Sequence, residues 1–448
     1  MTRRFEYTDA TSSKFWEITV ADATVTVCFG RIGTAGQTQT KPHDSAAAAT
    51  AAAEQQVAGK VKKGYREIGV DGAPVGETSP NTADAVDRKQ LAQIRKLLGQ
   101  ADAAAVWQGI ALLRALDNPA LWAMLAEGAS VDAEGEVHTP SGSEIHKRVR
   151  AGFRASVALW ALTYSGRLRN TRQLLIRGYA FADYTFTQAL PTLEVLDVKS
   201  SPSITDLAGL QGLNALTSLY LAKCGSLTAV TGLHSLPALD SIWLYSCKSL
   251  TDLTGLRDLP ALTRLVLWEC RSLTDLTALG DLPALTNLSL YYCKSLTDLT
   301  GLHDLPALTT ITMRGCASLT TLTGLRTLPA LTSLVVYECR SLTDLTALGD
   351  LPALTNLSLY YCKSLTDLTG LHDLPALTTI TVRGCTSLTT LTGLRNLPAL
   401  TSLDVYGCRS LTDLTALGDL PALTAVSVDG HTRLKDRSAL HALPARTM

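Results

Sequence analysis

The sequence predicts an α/β chain in three parts: a small α/β module, a helical middle segment and a long curved solenoid with a parallel β-sheet on its concave face. Three observations predict it. Proline returns on a 23-residue grid from Pro191 to Pro444, with Asn214 at the one grid point that lacks it. Cysteine keeps the same period from Cys224 to Cys408. Ahead of the grid, two strand-like runs and an alanine-rich run precede a stretch patterned for helices. A fixed period of this length marks stacked supersecondary units. The 448 residues divide into a module at 1–70, a linker at 71–86, a helical domain with an N-terminal cap at 87–188, and about eleven repeats at 189–448.

The first module has Lys14–Val20 and Ala23–Phe29 as strands and Gly30–Gln37 as a glycine-punctuated turn. Gln37–Lys41 returns as a third strand, and Ser45–Lys63 has strong helix propensity up to a stop at Gly64. Lys14-Phe15-Trp16-Glu17-Ile18, Phe29-Gly30-Arg31-Ile32-Gly33-Thr34-Ala35-Gly36-Gln37 and Lys62-Lys63-Gly64-Tyr65 together resemble a WGR domain. The resemblance implies a small sheet with one helix. In DNA-dependent poly(ADP-ribose) polymerases such domains contact DNA ends and neighbouring domains. Carried over, Arg31 is the expected phosphate or interdomain contact. Phe29 stands where the motif has tryptophan, so it can stack but lacks the indole donor. Lys60, Lys62 and Lys63 cluster at the helix end, where they serve either phosphate binding or the helix dipole. The module is therefore expected to touch DNA or RNA, or to dock a protein.

The linker Asp71–Asp84 is rich in Gly, Pro, Ser and Thr. Gln90–Leu98, Ala103–Leu116 and Pro119–Leu125 have helical patterning with short joins and resemble stacked HEAT-like pairs. Gly128–Gly142 reads as a loop, and Ser143–Tyr164 as a helix with an apolar stripe of Val149, Phe153, Val157, Trp160 and Tyr164. Lys147, Arg150 and Arg154 fall on an adjacent arc, either a footprint for phosphate or a solvated face. Eight basic residues and no acidic one lie between Lys147 and Arg177. Residues 171–190 are expected to cap the first coil, because solenoid ends need covering.

One repeat, LPALTNLSLYYCKSLTDLTGLHD from Leu282, resembles the leucine-rich repeat pattern L-x-x-L-x-L-x-x-(N or C)-x-L. Leu285, Leu288 and Leu290 take positions 1, 4 and 6; the last two alternate as a strand requires. Leu296, Leu299, Leu302 and Leu305 return every third residue, as in an irregular or 3-10 back segment. One coil cannot bury both sets, but coils stacked at ~4.8 Å can, giving a ladder ~50 Å long. The cysteines at position 9 are expected to point inward as small apolar residues. Parallel Cβ atoms ~4.8 Å apart exceed the ~3.5–4.5 Å of a disulfide, and a parallel row does not converge on a metal. No metal or cofactor is expected. His234, His303, His372 and His441 are 69 residues apart, too far to share one.

In the architecture this resemblance implies, positions 5, 7 and 8 face the concave side. They bring Trp243, Tyr245 and Trp268, then Tyr291, Tyr292 and Arg314, then Tyr337, Tyr360 and Tyr361, then Arg383 and Tyr406. This is the composition of binding hot spots, so a protein partner is expected there; lateral stacking that merely covers the sheet is the alternative. A block of three units is duplicated, since 282–350 and 351–419 differ at five positions. The tail from about residue 431 loses the cysteine and reads as a polar end cap.

Composition excludes several classes. The chain is 46% hydrophobic and 18% charged, hence globular. Forty basic and forty acidic residues cancel, which excludes a wholly basic nucleic-acid coat. No stretch reaches the ~18 apolar residues of a membrane span, and no secretory signal is read at the start. Cysteines at one repeat spacing argue for a reducing cytoplasm. No P-loop, Rossmann pattern, G-x-S-x-G, H-E-x-x-H or paired-cysteine zinc spacing occurs, so an enzyme is not expected. Two readings remain: an adaptor or sensor holding a protein on the concave face and nucleic acid at the first module, or a scaffold for proteins only.

Overall fold

The computed structural model describes residues 2–8, 13–68, 88–100, 102–116, 118–139, 154–178, 184–325, 328–394, 396–428, 434 and 445–447. The chain forms two compact units, Met1–Val86 and Asp87–Met448.

The first unit is a five-stranded antiparallel sheet with one helix. Its strands are β1 (Thr2–Thr8), β2 (Ser13–Ala21), β3 (Thr24–Arg31), β4 (Gln37–Pro42) and β5 (Arg66–Ile68), in the order β4-β3-β2-β1-β5. Two of these, β1 and β5, go beyond the three strands the sequence suggested. Helix α1 (Ala46–Val61) starts where the Ser45 hydroxyl accepts from the Ala48 amide, satisfying an otherwise orphaned donor. It lays Ala49, Ala53 and Val57, one turn apart, on Phe5, Trp16, Ile18 and Val25. Arg3 ties three elements together, bonding Glu67 of β5 at 2.7 Å and Glu54 of α1 at 2.9 Å.

The second unit begins with helices α2 (Arg88–Leu98), α3 (Ala103–Leu116) and α4 (Pro119–Leu125). The segment expected as a loop contains a short hairpin, β6 (Ser130–Val131) with β7 (Val137–His138). Helix α5 spans Arg154–Tyr164 and is buried from Ser156 to Thr163, a core helix on every side rather than a half-solvated one. The earlier part of the expected helix, with Lys147 and Arg150, lies outside the described residues. Trp160 of α5 meets Trp107, Tyr164 and Phe186, with ring centroids 6.3, 5.4 and 5.7 Å away. This aromatic plug adjoins the first coils.

The solenoid sheet has thirteen strands in strictly sequential order, from β8 (Gln173–Arg177) to β20 (Ala445–Thr447). The cap thus adds a strand of its own, because Gln173–Arg177 pairs in parallel with Val195–Lys199. From Val195 to Ala425 each rung matches the next at a 23-residue offset, as in Tyr245↔Trp268 and Trp268↔Tyr291. Leu288 and Leu290 are buried while Asn287, Ser289 and Tyr291 are half-buried, so the alternation read from sequence sets the two faces. Each buried leucine contributes ~1.5–3 kcal/mol. The thiols at position 9 are buried and reach back one coil: Cys293 Sγ donates to the Leu267 carbonyl at 3.7 Å and Cys316 Sγ to that of Leu290 at 3.5 Å. At the strand entrance, threonine hydroxyls form a second ladder. Thr309 donates to Thr286 O, Thr332 to Thr309 O and Thr355 to Thr332 O, at 3.1, 3.1 and 3.0 Å. The expected end cap falls mostly outside the described residues, but Ala445–Thr447 adds a rung beside Ala425–Ser427.

Candidate functional site on the concave face

The in-register ladder turns isolated sequence positions into rows. Strands carrying Ala222, Tyr245, Trp268, Tyr291, Arg314, Tyr337, Tyr360 and Arg383 pair one after another at position 7. Tyr406 follows just beyond its strand, its carbonyl accepting from the Gly384 amide at 2.9 Å. The rings touch along the row. Trp243 stacks on Tyr220 and on Tyr245, at 5.7 and 6.2 Å between centroids. Tyr245 meets Trp268 at 5.9 Å, and Trp268 meets Tyr291 at 4.9 Å and Tyr292 at 5.6 Å. Arg314 then lies over Tyr292 and Tyr337, its guanidinium carbon 5.8 and 4.6 Å from the ring centres. Tyr337 continues to Tyr360 and Tyr361, and Arg383 covers Tyr406 at 5.9 Å.

All eleven residues expected on this face from sequence are on it, and lateral stacking leaves most of them half-buried. Among the rings, Tyr361 and Tyr406 are the most open, 43% and 51% exposed. Tyr220, at position 5 of the same face, begins the stack. Gly315 and Gly384 were not among the residues expected to shape it. A Cβ on either would sit 2.5 Å from the ring of Tyr292 or Tyr361 respectively, so the glycines are notches that admit those rings. The signal was present in the sequence as a glycine directly after each arginine of the row.

Position 8 is left-handed in coil after coil: φ is 54° at Glu269, 55° at Tyr292, 56° at Glu338 and 55° at Tyr361. Glycine takes this region freely, whereas a bulky side chain there is an outlier. Charges on the face are locally paired. Arg314 lies 3.7 Å from Glu338, and Arg383 bonds Asp404. Although the two blocks differ at Val335 against Asp404 and Glu338 against Gly407, each keeps one carboxylate beside its arginine. The Ser246 hydroxyl, with Arg271, holds the Glu269 carboxyl below its ordinary range.

The first unit offers a second, basic surface. Arg31, Lys62 and Lys63 are exposed, while Phe29 is half-buried against the core of the module. Lys60 is taken up by ring contacts, its ammonium 4.7 Å from the centre of Tyr65 and 5.3 Å from that of Trp16. Burial, with Lys63 and Lys14 nearby, pushes its pKa down. Lys14 therefore joins the basic cluster, which its place in a strand had concealed. A groove of about 600 Å³ lies here, floored by Trp16, Val27 and Phe29 and rimmed by Gln39, Lys41, Gln56 and Lys60. Arg154 opens α5, and nothing beyond its backbone is described. Among the described residues no three His, Cys, Asp or Glu side chains gather as a metal site, and no helix is long and apolar enough to cross a membrane.

Comparison with known proteins matches the WGR domain family over residues 1–71 and the family described as leucine-rich repeat region over 184–445. An uncharacterised Escherichia coli K12 protein, YfeS, is 39% identical over 67 residues, a span of 15% of this chain and 28% of that protein. An internalin of Listeria monocytogenes is 18% identical with a TM-score of 0.32, covering 79% of this chain and 96% of its own. Internalin C2 of the same organism is 24% identical with a TM-score of 0.32, covering 49% and 83%.

Proposed function

The chain belongs to the leucine-rich repeat family and carries a WGR domain ahead of the repeats, and from that premise we propose that it is a non-enzymatic adaptor whose concave aromatic face captures a protein. The repeat fold itself supports an interaction scaffold. The observation that carries the reading is the row of touching rings and guanidinium from Tyr220 to Tyr361, followed on the same face by the Arg383–Tyr406 pair. Large aromatic area at low entropy cost, with forked donors between, is what a protein interface concentrates at its centre. Nine buried cysteines at one repeat spacing favour the reducing cytoplasm as its compartment.

The test is affinity capture with the full chain, set against Trp268→Ala combined with Tyr291→Ala. A specific protein partner is retained by the native chain and lost by the double variant. A partner that stays bound to the variant sinks the reading.

A second reading has its own observation, the exposed basic cluster of Lys14, Arg31, Lys62 and Lys63 on the WGR unit. It supports phosphate-backbone contact with DNA or RNA, without base-reading side chains and therefore salt-sensitive and weakly sequence-selective. Arg31→Ala with Lys62→Ala and Lys63→Ala abolishes the electrophoretic shift of a short duplex at low salt. An unchanged shift leaves the protein-only scaffold.

A further inference from the structure

Lys60, in the last turn of α1, sits unlike any other lysine of the chain. It is half-buried, whereas every other lysine whose side chain is described is exposed. Among the described residues it has no carboxylate partner. The four described glutamates of the first unit are taken by two arginines. Arg3 holds Glu54 and Glu67 at 2.9 and 2.7 Å, and Arg4 holds Glu6 and Glu17 at 3.0 and 2.8 Å.

Lys60 is left with two rings, Tyr65 and Trp16, and two like charges, Lys63 and Lys14. A ring face offers a cation a quadrupole in place of a full negative charge, so the ammonium is only partly stabilised. Burial and the like charges disfavour its proton. A desolvated lysine beside other cations is the setting in which an amine becomes a nucleophile near neutral pH.

The side chain is also reachable. It lines the groove of about 600 Å³ floored by Trp16, Val27 and Phe29, with Lys41 on the rim. Among the described residues lining this groove none is acidic. The surroundings select an electrophile of a definite kind. An anionic reagent is drawn to Lys14, Lys41, Lys62 and Lys63. A small apolar group left on Lys60 suits a floor of rings and valine. An acyl phosphate has both properties and a good leaving group.

We propose that Lys60 is an acylation site that takes the acyl group of small acyl phosphates without an enzyme. The neutral amine attacks the carbonyl carbon and a C–N bond forms. The C–O bond to phosphate breaks, inorganic phosphate leaves with the electron pair, and the proton displaced from nitrogen goes to water. The amide is uncharged, so one like charge disappears beside Lys14 and Lys63 and a neutral group takes the half-buried place. The inference needs neither of the binding readings above.

The test incubates the full chain with acetyl phosphate at pH 8 and follows acetylation residue by residue by mass spectrometry, after digestion with a protease that does not cut at lysine. Lys60 is expected to react at least about threefold faster than its exposed neighbours Lys62 and Lys63. Urea is expected to erase that lead, because unfolded lysines share one ordinary pKa. Lys14→Gln with Lys63→Gln, both at exposed positions, narrows the lead by removing the like charges. Added salt slows acetyl phosphate but not acetic anhydride, which is neutral and needs no steering. Lys60 matching or trailing Lys62 and Lys63 in the folded chain overturns the proposal. So does a lead that survives urea, or one that the double variant leaves unchanged. A lead with acetic anhydride but none with acetyl phosphate overturns it too, since the donor class is then wrong.

Discussion

Cysteine at position 9 shows how much one side chain's surroundings alter its chemistry. Burial pushes the Cys270 thiol well above its ordinary range and the Cys293 thiol up to about 12. Thiolate is the reactive form, so these groups are inert at neutral pH. Iodoacetamide at pH 8 is expected to label native Cys28, the half-exposed cysteine, and to reach the others after denaturation; mass spectrometry of the alkylated peptides checks it. The sign of the pH effect follows from the same shift. Above pH 9 the unfolded chain loses thiol protons that the folded chain keeps, so stability falls as pH rises from 9 towards 12. Urea midpoints at pH 7.5, 9 and 10 are expected to decline in that order, with a shallower decline in Cys293→Ala. The inward direction of these cysteines was legible because their spacing matched the leucines. The left-handed backbone at Tyr292 was not, since nothing in a tyrosine announces positive φ and only the glycine equivalents, Gly315 and Gly384, hint at it.

The element that matters energetically is the coil. It has no core by itself, and its leucines are buried only against the coils on either side. Leu290→Ala is expected to cost ~2–5 kcal/mol, the range for truncating a fully buried leucine, measured by urea denaturation of the second unit's transition. Thr332→Val removes one hydroxyl-to-carbonyl bond of the threonine ladder and is expected to cost ~1 kcal/mol. Coils were easy to read because the same three-residue and two-residue leucine intervals recur eleven times. The strands of the first unit were harder. In β1, Arg3, Arg4 and Glu6 surround Phe5, so the pattern lacks alternating apolar residues. Its neighbours in the sheet and the Arg3 ion pairs stabilise it, and those contacts are long-range. The hairpin β6–β7 is two residues per strand, too short to carry a period.

Each of the two units has its own hydrophobic core, one around Trp16 and one running through the coils. Heating is therefore expected to give two calorimetric transitions, and Trp16→Ala to remove or lower the one that belongs to the WGR unit alone. A single transition responding to both Trp16→Ala and Leu290→Ala would contradict independent cores.

The sequence by itself determined the repeat, its register and which residues face in or out, because a period of 23 residues with fixed leucines admits one stacking in which both leucine sets are buried. It also determined that tyrosine, tryptophan and arginine occupy the concave face. Tertiary structure alone decided that the rings from Tyr220 to Tyr361 touch in a row, that glycine notches seat Tyr292 and Tyr361, that Lys60 spends its charge on Trp16 and Tyr65, and that Gln173–Arg177 begins the sheet. Those are contacts between coils or between distant strands. Their geometry depends on where a neighbour's backbone lies, which no local pattern encodes.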